Sequence, residues 1–382
     1  MSAAAVSRID TEPLLAELLA ARVPRRGLPA YLPKADAEVA AQLTSFFAQA
    51  APGAAVSDVA RLGGGASKEQ FSFTLRRVGE APRRYVLRMD PLEAITETHR
   101  RREFESLRAF RGIVPAPVPA WLVDDTRHFE RPALIMEWVA GTAKPTSDQA
   151  VKVSGLGTHL GPRLRELLRP QFLDHLVAIH ALDWRKAELP SFTPPLADAR
   201  QPARWQLEYW AELWRQDATM REPIMAVAET WMRENLPEAH ELVFVHGDYR
   251  TGNYLFDEAA GRITALLDWE LAYLGDYHDD LAWVIQRIFG TLVNGTFRAS
   301  DLYERDEFLH AYERATGRRV DRRTLHFYEV LSAYKCIVIV SGTGIAVARA
   351  AHNHQAVLLT FLASAGPIFR AELCRLLEQE VA

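Results

Sequence analysis

The stretch FVHGDYRTGNYLFD, residues 244–257, places His246, Asp248, Arg250, Asn253 and Asp257 inside fourteen positions bounded by apolar residues. A turn needs one or two such groups. Here an apolar strand, LVFVH, enters the polar loop and a second, YLF, leaves it; twenty residues after Asp248 another strand, ITALLDWE, ends in Asp268. Short strands of this kind form a hairpin that brings the loop side chains close to Asp268. Phosphoryl transfer needs that set: one carboxylate to orient a hydroxyl and accept its proton, and hard oxygen ligands to hold Mg²⁺ on phosphates. Asp248 alone reads as a turn residue and Asn253 alone as an Asx turn, but with Asp268 at a strand end the balance reverses. His246 reads as a structural group holding the loop backbone, with a base role as the alternative. Asp257 and Glu270 read as turn and solvated acids, Glu270 with the option of a supporting bond.

The surrounding chain fits two lobes. At 382 residues it exceeds the size at which one core stops growing. Its formal net charge of -4 argues against a nucleic-acid binder. Two cysteines, Cys336 and Cys374, make neither a disulfide framework nor a Cys-rich zinc site, and the expected setting is the cytoplasm. The apolar run CIVIVSGTGIAVA follows Lys335 and is too short for a span, so a buried helix is expected and no membrane. Residues 57–90 read as strands, a charged helix TETHRRREFESLRAFRG follows, and PAPVPA stops it. After Gly141 the pattern is mostly helical. The expected division is a helical extension over 1–56, a small lobe and hinge over 57–140, and a large lobe over 141–382. The extension is expected to pack on the small lobe.

HGDYRTGN, followed by LLDWE and LGDYHDDLAW, resembles the aminoglycoside phosphotransferase-like (choline and aminoglycoside kinase-like) family. It is especially similar to the branch represented by the phosphotransferase domain fused to some acyl-CoA dehydrogenases. The resemblance covers roughly residues 57–365. It implies an α+β, bilobal protein-kinase-like fold with a small antiparallel-sheet N-lobe and a larger, mostly helical C-lobe. It also implies Asp248 as catalytic base, Asn253 and Asp268 as magnesium ligands, Asp280 as a structural acid, and ATP, with GTP as the alternative, as phosphoryl donor.

The same resemblance organises the first half. Gly63, Gly64 and Gly65 in RLGGGASKEQFSF match the nucleotide-covering loop, with Ser67 and Lys68 beside the β- or γ-phosphate; alone, the glycines read as a hairpin turn and Lys68 equally as a solvated lysine. The pattern is neither a Walker nor a Rossmann fingerprint. YVLRMD carries Arg88 where kinase-like enzymes carry lysine, a planar fork in place of an ammonium. Glu103 is the expected helix partner of Arg88, with Glu105 as competitor. LIMEWVAG resembles the hinge: backbone groups of Glu137 and Val139 would contact adenine, and Met136 would shape the pocket.

Three classes follow: a small-molecule kinase, a protein kinase, and a nucleotide-binding pseudo-kinase or scaffold. The protein kinase is disfavoured because H-R-D, D-F-G and A-P-E are missing; the intact Asp248, Asn253 and Asp268 argue against the pseudo-kinase. The acceptor is a hydroxyl-bearing small molecule, either a hydroxyacyl derivative or an aminoglycoside or sugar. Trp205, Tyr209, Trp210 and Trp214 share one helical face, which reads first as core and second as a cleft wall for an acceptor with an apolar part. Arg349, His352 and His354 are further candidates for the same cleft.

Overall fold

The computed structural model describes residues 9–63, 65, 67–147 and 156–379. Two helices, α1 (Pro13–Arg22) and α2 (Asp36–Ala50), precede strands β1 (Ala55–Arg61), β2 (Glu69–Arg76) and β3 (Arg83–Met89); helix α3 (Arg100–Ala109) then leads to β4 (Pro119–Val123) and β5 (Ala133–Glu137). The five strands form one antiparallel sheet in the order β1-β2-β3-β5-β4. Strand alternation decides what each face carries. Tyr85, Leu87 and Met89 join Ala133 and Ile135 on the face that meets Val39, Leu43 and Phe47 of α2. Val86, Leu134 and Met136 point the other way, into the large core. Arg88 falls on that second face, opposite Leu134 in register.

β5 runs out at Glu137, and residues 138–142 cross to the second lobe, where Thr142 and Phe256 exchange backbone hydrogen bonds of 2.9 Å each. Gly141 has φ +146°, and a Cβ there would lie 2.6 Å from Thr264 Oγ1, so the crossing requires glycine. The second lobe holds, in chain order, α4 (Gly161–His180), α5 (Gln201–Asp217), α6 (Pro223–Glu234), β6 (Val243–Val245), β7 (Tyr254–Asp257), β8 (Arg262–Leu266), β9 (Tyr273–Gly275) and α7 (His278–Val284). The small hairpin of β10 (Thr291–Val293) and β11 (Thr296–Arg298) precedes α8 (Arg305–Thr316), α9 (Arg322–Ile337), α10 (Gly344–Ala350), α11 (Ala356–Ala363) and α12 (Gly366–Leu377). β6 pairs with β9 and β7 with β8, both antiparallel. The architecture is the bilobal kinase-like one, a sheet lobe followed by a larger helical lobe.

α9 and α10 are continuous through a π-helical turn at Val338–Thr343. The whole run Arg322–Ala350 is long and apolar enough to cross a membrane, but 83% of its most apolar window is buried inside the protein; it is the central core helix of the lobe.

The extension departs from expectation. α2 packs on the small sheet, but Leu15 and Leu19 of α1 join the large core, and Thr11 Oγ1 donates to the Trp205 carbonyl at the start of α5 (3.0 Å). The i, i+4 leucines of α1 have no apolar partner on the sheet, whose outer face α2 already covers. Arg22 then closes the packing: fully buried, it reaches Asp217 of α5 (2.6 Å), Glu97 (3.0 Å) and Glu93 (3.9 Å).

Candidate active site

The HGD loop follows β6 directly and is held from below by Asp280 of α7. That buried carboxylate accepts the amides of His246 (2.7 Å) and Gly247 (2.9 Å) and bonds His180 Nε2 (3.1 Å). Burial alone would raise its pKa; the His180 bond and the His246 ring and amide outweigh burial and hold it below the usual carboxylate value. Gly247 has φ +81°, and a Cβ would lie 2.5 Å from the Leu271 carbonyl oxygen, so only glycine allows the approach. His246 is fully buried and its Nδ1 accepts the Asp248 amide at 3.3 Å. Such a ring fixes the loop and cannot meet a hydroxyl arriving from solvent.

Asp248 itself is partly open. Its Oδ1 accepts Trp283 Nε1 (2.7 Å) and Arg250 Nε (2.9 Å), and its carbonyl accepts Asn253 Nδ2 (2.9 Å). Trp283 drew no role from the sequence, yet its signal was available: it lies three residues after Asp280 on one helix, so both face the same loop. The Asn253 carbonyl accepts the Leu267 amide (2.8 Å), which sets Asp268 beside it. Asp268 adopts the left-handed conformation, φ 58°, turning its carboxylate out of β8 toward the sheet lobe.

Across the cleft, Arg88 Nη2 meets Asp268 Oδ1 at 2.8 Å while Nη1 meets Glu103 Oε1 at 3.3 Å. Glu103 also pairs with Arg100. Glu105, the competing acid, instead accepts the Ser191 amide (3.0 Å) and hydroxyl, pinning α3 to the large lobe. The glycine loop reaches over from the other side. Gly65 has φ +77°; a Cβ at Gly63 would meet nothing within 4 Å, so only the former needs glycine for its conformation; Gly64 lies outside the described residues. Ser67 Oγ donates to Glu270 Oε1 at 2.5 Å, so the end of this loop touches the segment just after Asp268.

Glu270 is a correction: it is no solvated acid. It is buried among Arg100 Nη2 (3.0 Å), Lys68 Nζ (3.5 Å) and Arg88 Nη2 (3.9 Å). Lys68 is likewise no solvated hairpin lysine; it is 1% exposed and also meets Asp90 at 3.0 Å. Sequence reasoning failed on both because their pairing crosses the lobes: Glu270 meets only charges of the sheet lobe, and Lys68 meets Glu270 besides Asp90 of its own lobe. Burial pushes the Glu270 pKa up, but Lys68, Arg100 and Arg88 pull it down further, from 4.5 to about 2. A lowered folded pKa gives stability that is present above about pH 4.5 and lost as pH falls toward 2. Thermal unfolding of Glu270→Gln is therefore expected to vary less than wild type over that interval; coincident pH profiles would contradict the placement. Asp257 is the turn residue expected, accepting the Ala260 amide at 3.0 Å.

At the hinge the Glu137 amide is already used, donating to the Val118 carbonyl (2.8 Å), so Glu137 can offer a base only its carbonyl. The Val139 amide makes no backbone hydrogen bond among the described residues. Met136 is buried at the strand end. Among the aromatic stripe, Tyr209, Trp210 and Trp214 are buried in the core, and Trp205 bonds Asp10 at the surface (3.2 Å); Tyr209 and Trp210 edge a cavity of only about 20 Å³. Arg349 is exposed; His352 is buried against Glu93 (2.8 Å) and the Leu28 carbonyl (3.0 Å), bracing the extension and not the cleft. His354 reaches the Gly65 backbone.

No group of three or more His, Cys, Asp or Glu side chains able to hold a metal occurs among the described residues. A magnesium ion that completes its octahedron with phosphate and water oxygens needs no such group. Asn253 and Asp268 supply two adjacent hard oxygen donors, a set that fits this cation.

A sheet lobe hinged to a helical lobe, with a strand arginine paired to a helix glutamate and an HGD loop facing it, defines a kinase-like phosphotransferase. The chain belongs to the phosphotransferase enzyme family, whose model matches residues 58–328. It is 27% identical over 295 residues to chicken acyl-CoA dehydrogenase family member 11, covering 71% of this chain and 34% of that protein. It is 28% identical over 206 residues to mouse acyl-CoA dehydrogenase family member 10, covering 53% of this chain and 18% of the relative. The chain thus spans about a third or less of these curated relatives. Among solved structures, a Ralstonia eutropha protein provisionally assigned to the aminoglycoside phosphotransferases aligns with TM-score 0.62 at 23% identity, over 89% of this chain and 99% of that one. Aminoglycoside phosphotransferase APH(4)-Ia with AMP-PNP and hygromycin B aligns with TM-score 0.56 at 16% identity, over 88% and 97%. These two likenesses concern the fold.

Proposed function

We propose that the chain transfers the γ-phosphoryl group of ATP to a hydroxyl of a small molecule, with Asp248 as the general base and Asn253 and Asp268 as magnesium ligands. The observation that carries this reading is the juxtaposition of Asp248, Asn253 and Asp268 on adjoining loops, with Arg88 linking Asp268 to Glu103. The complex of APH(4)-Ia with AMP-PNP supports an adenine nucleotide. The curated relatives carry the name acyl-CoA dehydrogenase, which favours an acceptor with an acyl portion, such as a hydroxyacyl derivative, over a bare sugar.

In this mechanism the acceptor oxygen attacks phosphorus, the bond from the γ-phosphorus to the β,γ-bridging oxygen breaks, and the hydroxyl proton passes to the Asp248 carboxylate. Trp283 and Arg250 hold Oδ1 and thereby aim the carboxylate. Magnesium, when bound, neutralises charge on the phosphate oxygens. Arg88, oriented by Glu103, exchanges its contact with Asp268 for phosphate oxygens, which its planar fork can grip in pairs. Gly63, Gly65 and Ser67 cover the phosphates, and the Glu137 carbonyl and Val139 amide face the base.

Calorimetry of ATP, GTP and ADP with and without Mg²⁺ tests the reading. Wild type is expected to bind ATP saturably and more tightly with Mg²⁺, and Asp268→Ala to lose the magnesium enhancement together with turnover. Absence of saturable nucleotide binding, or an unchanged magnesium dependence in Asp268→Ala, would overturn it. Incubating a metabolite extract with γ-labelled ATP then identifies the acceptor.

A further inference from the structure

Beside the cleft lies a second polar cavity of about 170 Å³, enclosed by the N-terminal extension, the segment 90–100 that enters α3, and the residues just before β5. Its charged lining is Arg25, Lys68, Arg100 and Arg131 against Asp90 and Glu97, an excess of two positive charges (four minus two). Lys68 and Arg100 are 1% and 0% exposed. His99 also lines the space; burial lowers its pKa, so it adds no charge at neutral pH.

Lys68 and Arg100 are paired beyond the lining, Arg100 with Glu103 and Glu270 (3.0 Å) and Lys68 with Glu270 (3.5 Å), so the free donor capacity lies with the partly buried Arg25 and Arg131. Glu97 is shared between Arg22 (3.0 Å) and Arg25 (2.7 Å), and Asp90 between Lys68 (3.0 Å) and Arg100 (3.1 Å). Nε of Arg25 is buried without a hydrogen-bond acceptor, a costly state for a charged donor. Arg131 makes no hydrogen bond or ion pair among the described residues, and burial lowers its pKa. The cavity is far larger than the ~10–15 Å³ one water occupies. The two guanidinium forks of Arg25 and Arg131 beside such a space match a tetrahedral oxyanion, which offers several strong acceptors at once.

We propose that this cavity is an anion site that takes a phosphate group, gripped by Arg25 and Arg131, with the carboxylate-paired Lys68 and Arg100 forming the wall shared with the cleft. The assignment rests on the kinase reading for one point, that the phosphates of ATP lie on the cleft side of that wall. The phosphate is either the free ion or a group carried by the acceptor.

Inorganic phosphate is titrated calorimetrically into protein saturated with Mg²⁺ and AMP-PNP, so that the nucleotide site is filled. Wild type is expected to bind phosphate saturably, and Arg131→Gln and Arg25→Gln to weaken it about tenfold or more, the loss of one charge-assisted partner, with AMP-PNP affinity unchanged. Arg131→Gln breaks no ion pair, so it remains informative if Arg25→Gln fails to fold. No saturable phosphate binding to wild type, or equal binding to Arg131→Gln, would overturn the proposal. If AMP-PNP itself does not bind, the kinase reading fails, and the titration of nucleotide-free protein still decides this one. Phosphate that alters turnover of a phosphate-free acceptor identifies the free ion as ligand; a raised KM in Arg131→Gln only for phosphate-bearing acceptors, with kcat unchanged, identifies the acceptor's group.

Discussion

Asp248→Asn is expected to bind Mg²⁺ and nucleotide as wild type does while losing about 10²- to 10⁴-fold in phosphoryl transfer, the span that general-base catalysis contributes. The substitution is clean because an asparagine Oδ1 still accepts the Trp283 indole and Arg250 Nε bonds now made by the carboxylate. The loop stays in place and only the capacity to take a proton is removed. A loose, metaphosphate-like transition state puts the loss at the lower end of that range. Single-turnover transfer from labelled ATP, set beside calorimetric binding of the same variant, separates the two quantities. Turnover equal to wild type would remove the basis for Asp248 as base.

Arg22→Met is expected to destabilise the fold by about 3–5 kcal/mol, the usual consequence of removing one partner from a buried ion network. The side chain it replaces is fully buried and lies 2.6 Å from Asp217 and 3.0 Å from Glu97, and Thr343 Oγ1 donates to the same Asp217. Arg25 and Arg26 reach Glu97 and Asp217 from partly exposed positions and take over only part of the compensation. Arg22→Lys should recover less than the full loss, since one ammonium cannot replace a fork that spans two carboxylates. The midpoint of urea unfolding measures the effect; a shift equivalent to less than about 1 kcal/mol, the worth of a surface pair, would mean the network is not a stabilising element.

What could be read in advance follows from the range over which each residue finds its partners. The strands, the charged helix and the HGD loop are legible because alternation, proline stops and closely spaced polar groups act over a few residues. Glu103 could be proposed as partner of Arg88 from its place near apolar neighbours on the helix. Glu270 could not be read, because its partners lie 170 to 203 positions away, from Arg100 to the Ser67 hydroxyl, and the burial of Lys68 depends in part on the same distant Glu270. The same holds for α1: its leucines announce an apolar face, but only the three-dimensional arrangement shows that α2 has already taken the sheet and that the remaining vacancy lies against α5. Trp283 is the intermediate case, readable only once Asp280 is known to sit under the loop.

The placement of α1 bears on how such a domain can be moved between proteins. The family match begins at residue 58 and stops at 328, inside α9. A fragment cut to those limits would keep Glu93, Glu97 and Asp217 buried without Arg22, strip Glu12 from Arg102, and discard Lys335, the partner of buried Asp279. A segment that keeps these pairs runs from Glu12, just before α1, at least through Lys335 of α9, so the unit to be moved is wider at both ends than the part by which it is recognised.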